Sequence, residues 1–195
     1  HKLSLEIEPY SDKPIVFFFH SMGALISFEL ACYLSKMQKK VPEHLFVSGR
    51  QSPHLPRKYP PIHHLSEDQF IKEIKKFDGV PAEILNDPEM RKLFFPTLRA
   101  DLEMCEKYSF QNIDKLNIPI KVYGGRSDSG VTENELLAWN YVTQSFAGAE
   151  LFDGGHFYFR FSKEQFLQHF KSDLDEIIKK IRLRESSSIF FSKPN

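Results

Sequence analysis

Cysteine is nearly absent from this 195-residue chain, which carries only Cys32 and Cys105. Two cysteines cannot form a disulfide framework, and they suit a reducing, cytoplasmic setting. Cys32 falls on a helical pattern and reads as a small buried hydrophobe rather than a reactive thiol. Net charge is missing too, since 26 basic side chains meet 26 acidic ones. That balance offers no basic field for nucleic acid or for an anionic membrane surface. No apolar run approaches the ~20 residues that cross a bilayer, and no signal-peptide pattern is visible. The eight histidines show no zinc spacing. His63 and His64 are adjacent, an arrangement that rarely converges on one metal, and the pair is expected at the surface. Internal repeats are absent.

What is present is enough chain for one sizeable core, with an ordinary apolar fraction of 41%. The most informative stretch is Phe19-His20-Ser21-Met22-Gly23. It follows the β-type run Ile15-Val16-Phe17-Phe18 and leads into a helical pattern starting near Ala24. That is the layout of a nucleophile elbow, the G-x-S-x-G turn that lifts a serine hydroxyl off the end of a strand. The first glycine of the pattern is missing, and Phe19 stands in its place. Taken alone, a serine between strand and helix is most often a cap.

Two further residues change that balance. Asp128 follows the strand-like run Ile118–Tyr123 and the turn Gly124-Gly125-Arg126-Ser127. His156 follows the run Ala149–Phe152 and the glycine pair Gly154-Gly155. Ser21, Asp128 and His156 thus stand in the chain order of the α/β-hydrolase triad, each just past a strand. The long interval before Asp128 leaves room for a strand, a helical insertion and another strand. Asp153 is too close to His156 in sequence to be its partner.

At these residues the chain resembles the type II thioesterases of nonribosomal peptide and polyketide synthesis. His20–Leu25 looks like their nucleophile motif, and Ser48–Pro53 like the loop after the next strand. Pro96–Asp101, continuing to Glu106 and Tyr108, is similar to their lid signature. Gly124–Asp128 with Leu137-Ala138-Trp139 resembles the acid loop, and Gly154–Phe157 the histidine loop. The likeness runs from about Lys13 to about Ile181.

The resemblance implies an α/β-hydrolase fold, a parallel sheet with a helical lid near 66–108, in a domain spanning 1–183. It implies hydrolysis of acyl groups from the phosphopantetheine arm of acyl or peptidyl carrier proteins, with no metal or cofactor. The full-length protein would be a monomer. Ser21 would attack, His156 would act as base and Asp128 would orient it, while the Met22 N–H would face the oxyanion. Two other readings stand beside this one. One is a carboxylic-ester or acyl-CoA hydrolase; the other is a catalytically impaired remnant that only binds carrier proteins.

Strands alternate with helices along the rest of the chain, as a helix-covered parallel sheet requires. A helix is expected to about Lys36, then a strand at His44–Ser48. Capping boxes are expected at Ser66–Gln69 and Thr132–Glu135, and a cap at Asp87-Pro88. Pro96 is expected to kink or break its helix. Phe70, Phe77, Phe94 and Phe95 either pack on the core or together line an apolar slot. The last helix should bury Phe166, Phe170, Leu174, Ile177, Ile178 and Ile181, and the tail 184–195 should be loose.

The chain begins with His1, and its first methionine is Met22. Residues 2–14 contain Pro9 and Pro14, which limit what they can form. A sheet lacking its early strands is therefore expected, with no loop to give a second oxyanion donor. Its apolar Ile15–Phe19 edge would be prone to association, leaving the chain alone with little activity. Phe19 adds bulk beside the elbow: either local rearrangement or a neighbouring void accommodates the ring with the elbow intact, or the elbow is displaced enough to spoil attack.

Overall fold

The apolar residues of each strand alternate between two faces, and each face is covered by different helices. In the computed structural model, which describes residues 1–77, 79–111 and 114–191, four strands form one parallel sheet. They are β1 (Val16–His20), β2 (His44–Ser48), β3 (Ile120–Gly125) and β4 (Phe146–Phe152), lying side by side in chain order. Consecutive parallel neighbours need crossovers, and right-handed crossovers all return over the same face.

That face carries Phe17, Leu45, Val47, Ile120 and Val122. Over it pack Ala24, Phe28, Ala31 and Leu34 of α2 (Met22–Lys36), with Leu136 and Trp139 from beyond β3. The alternate residues Phe18, Phe46, Tyr123 and Phe152 point the other way. They meet Phe166, Phe170, Leu174 and Ile177 of the long C-terminal helix, α7 (Lys163–Phe191). Tyr123 donates its hydroxyl proton to Asp173 of α7, which fixes that helix along the sheet.

Before the sheet, α1 (Lys2–Ile7) runs into a 3₁₀ turn at Glu8–Tyr10 that contains Pro9. Between β2 and β3 lie α3 (Glu67–Ile74), α4 (Ala82–Asn86) and α5 (Pro88–Lys107). These three form an insertion with its own small core of Ile62, Phe70, Ile74, Leu85 and Phe95. After β3 comes α6 (Glu133–Leu137), opened by a complete Thr132–Glu135 capping box. Among the described residues no helix is long and apolar enough to cross a membrane.

Several expectations need correction. Pro96 sits inside α5 without ending it. Proline removes one hydrogen bond, and here Lys92 and Pro96 share the exposed face, where water can take the freed carbonyl. The segment from Arg184 continues α7 to Phe191, because no glycine or proline intervenes and Arg184 forks onto Glu43 at 2.7 and 2.9 Å. Residues 192–195 lie outside the described residues. Ile178 is exposed, one position off the buried stripe of α7. Ser66 occupies the N-cap of α3, but its side chain makes no capping bond, whereas Asp87 caps α5 from both Glu89 and Met90. Phe70 and Phe95 pack edge-to-face at 5.2 Å inside the insertion, so these two take the packing role. Phe94 is exposed, and the Phe77 side chain lies outside the described residues.

Candidate active site

Strand β1 ends at His20, and the chain then reverses through Ser21 into α2. Ser21 has φ 54° and ψ −118°, a conformation that costs a non-glycine residue about 1–3 kcal/mol. The turn is held from two sides. The Ser21 N–H donates to the Ser48 carbonyl at 2.8 Å, and the Ala24 N–H donates to the Ser21 carbonyl at 3.1 Å. Met22 is the first residue of α2, so its N–H has no partner from the helix itself.

His156 and Asp128 come from the loops after β4 and β3, at the same end of the sheet. His156 Nε2 lies 2.9 Å from Ser21 Oγ, and its Nδ1 lies 2.8 Å from Asp128 Oδ2. The Asp128 side chain is only 3% exposed, and its second oxygen accepts the Gly130 N–H at 2.8 Å. One hydrogen-bonded line therefore joins three residues far apart in sequence. Asp153 is not in it; that carboxylate is exposed and faces Arg126 at 3.4 Å.

Of the two outcomes open at Phe19, the structure shows the ring accommodated. Its ring packs edge-on to Phe17 and over Gly23, and the elbow keeps its geometry. The glycine that remains in the motif makes the room that the missing one would have given. An impaired remnant loses its argument from Phe19.

The loops are pinned by contacts that the sequence motifs named without specifying. Trp139 Nε1 donates to the Arg50 carbonyl at 2.7 Å, fixing the loop after β2. Glu106 accepts the Ile62 N–H at 2.8 Å and the His63 N–H at 3.3 Å, and also bonds the His63 ring. Arg99 donates to the His63 carbonyl and stacks over Phe70 at 4.0 Å. His63 is thus a half-buried tie for the insertion rather than a surface residue, while His64 is exposed as expected.

The contacts joining His20, Ser48 and Tyr158 were missed. His20 Nδ1 bonds Ser48 Oγ at 2.8 Å, and Ser48 Oγ bonds the Tyr158 hydroxyl at 2.8 Å. The only available signal was positional, since His20 and Ser48 both close a strand.

The thioesterase domain family matches residues 5–174. The chain belongs to that family. Gramicidin S biosynthesis protein GrsT of Aneurinibacillus migulanus is 39% identical over 163 residues, covering 84% of this chain and 64% of that protein. Thioesterase PikA5 of Streptomyces venezuelae is 34% identical over 145 residues, covering 74% of this chain and 51% of its own. The chain thus spans between half and two thirds of the length of these relatives.

Among solved structures, ClbQ from the colibactin NRPS/PKS pathway superimposes with a TM-score of 0.81 at 27% identity. That match covers 90% of this chain and 74% of ClbQ. YbtT, the type II thioesterase from the yersiniabactin NRPS/PKS pathway, gives 0.80 at 27% identity, covering 90% and 72%. The fold is that of the α/β-hydrolase thioesterases, with the helical insertion between β2 and β3.

Proposed function

We propose that this chain carries the hydrolytic site of a thioesterase that removes acyl groups from the phosphopantetheine arm of carrier proteins in nonribosomal peptide or polyketide synthesis. The observation that supports it most is the hydrogen-bonded line from Ser21 through His156 to Asp128. Family membership supplies the bond type, and the printed pathways of the relatives suggest the carrier.

In this reading Ser21 Oγ attacks the thioester carbonyl while His156 Nε2 accepts its proton. The Met22 N–H, which has no partner from the helix it begins, donates to the oxyanion. The carbon–sulfur bond then breaks, and His156 returns the proton to the departing thiolate. Water enters and gives a proton to His156 as its oxygen bonds to the acyl carbon. The bond from that carbon to Ser21 Oγ then breaks, His156 returns the proton to Oγ, and the carboxylic acid leaves. Asp128 holds the imidazole in the tautomer that presents the Nε2 lone pair to Ser21. Its own orientation is fixed by Gly130, so the whole line is set before substrate arrives.

Comparison of kcat/KM on one acyl group carried by a holo carrier protein, by coenzyme A and by a small oxygen ester tests the substrate class. The carrier-bound thioester is expected to be preferred by at least ~10-fold, about 1.4 kcal/mol of extra transition-state binding. Equal or greater turnover of the coenzyme A or ester form would replace this reading with an acyl-CoA or carboxylic-ester hydrolase.

A further inference from the structure

His20 immediately precedes Ser21 and is part of no proton transfer described above. It closes β1, and in the parallel register it stands opposite Ser48, which closes β2. That pairing brings His20 Nδ1 to 2.8 Å from Ser48 Oγ. Ser48 is fully buried, and the same hydroxyl oxygen lies 2.8 Å from the hydroxyl of Tyr158, also fully buried. Tyr158 lies two residues beyond His156, in the 3₁₀ turn that ends the histidine loop. One buried serine therefore ties the ends of two strands to the loop that carries His156.

The far side of the His20 ring meets His156 itself. The two ring centroids are 4.6 Å apart, with the planes tilted by 52°. Phe157 and Phe159 close the remaining sides at 5.3 and 5.0 Å. Gly49 lies beneath both imidazoles: a Cβ there would meet His20 Cε1 at 2.5 Å and His156 Cε1 at 3.2 Å. Its φ of 59° also disfavours any other residue. The exit of β2 is thus shaped around two imidazoles in tilted contact, not one.

We propose that His20 is a positioning residue for His156: an imidazole clamped through Ser48 to Tyr158 that fixes the orientation of the neighbouring ring toward Ser21. Burial, followed by the proximity of His156, holds His20 down to about 4, against the weaker pull of Asp128. It therefore stays neutral where His156 must gain and lose a proton, and it neither competes for that proton nor repels the imidazolium.

The proposal rests on His156 being the base, so the two are tested in sequence in the same protein. His156→Ala is assayed first; surviving turnover would remove the base assignment and this proposal with it. If turnover is lost, three deletions follow: His20→Phe, Ser48→Ala and the His20→Phe/Ser48→Ala pair. Each is titrated with a fluorophosphonate, so that rates are expressed per intact site and loss of fold is counted separately.

His20→Phe is expected to lower kcat about 10- to 100-fold with KM within about twofold, since a shift near 1 Å costs about 100-fold. Ser48→Ala should lower it about 10-fold, and the pair should fall no further than the worse single variant, because one chain of contacts is broken. Full kcat per titrated site in His20→Phe, or losses that multiply in the pair, would overturn the proposal while leaving the triad intact.

Discussion

The Phe19 ring lies across the start of α2 so closely that a Cβ at Gly23 would sit 3.1 Å from its Cδ1. The two residues are the first and last positions of the elbow motif, and only one is glycine. Their fit should appear as coupling. Gly23→Ala, which in an open helix would gain up to about 1 kcal/mol, is expected to lose activity here. Phe19→Gly should leave kcat within about threefold while removing about 2–3 kcal/mol of stability with the packed ring. In the double variant the alanine should become harmless. Urea unfolding and kcat across the four proteins measure this, and strictly additive effects would contradict it.

The glycine pairs around the acid and histidine loops look alike in sequence but differ in their surroundings. A Cβ on Gly125 would lie 2.1 Å from the Gly155 carbonyl oxygen and 2.5 Å from that of Gly154. Backbone on backbone cannot yield, so Gly125→Ala must move the loop bearing His156. A fall in kcat/KM of at least ~100-fold is expected. A Cβ on Gly155 meets nothing closer than the Ser127 carbonyl oxygen at 3.8 Å. Gly155→Ala should therefore stay within about threefold of the parent. Parallel assays of the two variants decide the matter, and equal losses would contradict the distinction.

His44 opens β2, lies against Phe46 with the ring planes tilted by 36°, and has its Nε2 buried without a hydrogen bond among the described residues. Burial pushes it down to about 4, opposed by Asp173 and assisted by Lys180 and Lys121. The folded value lies below the unfolded one, so its neutral form costs nothing above about pH 6.5. As pH falls toward 4, the unfolded chain gains a proton that the fold refuses, and stability declines. His44→Phe should reduce the slope of unfolding free energy between those pH values by up to about one proton. An unchanged slope would show that His44 is charged in the fold.

Much of this structure can be read locally. β2 spans His44–Ser48 as its apolar run suggests, and Thr132 and Asp87 form the caps their sequences encode. Ser21, Asp128 and His156 were legible because each follows a strand signal, and strand ends of a parallel sheet gather at one edge. The contacts that hold them were not legible. His20, Ser48 and Tyr158 meet only once strand order and register are known, and neither is written in any short window. The continuation of α5 past Pro96 depended on which helix face met solvent. His63 looked like surface because its partner, Glu106, lies beyond most of the insertion.

The central claim is that Ser21 is the nucleophile activated by His156, and single-turnover acyl release tests it most directly. Parent, Ser21→Ala and His156→Ala proteins would each be mixed with an acylated holo carrier protein, and free acid followed alongside fluorophosphonate labelling. Ser21→Ala should lose both labelling and release, with release falling by about 10⁴-fold or more; His156→Ala should slow both by a similar factor. Acyl release by Ser21→Ala at the parent's rate would contradict the assignment.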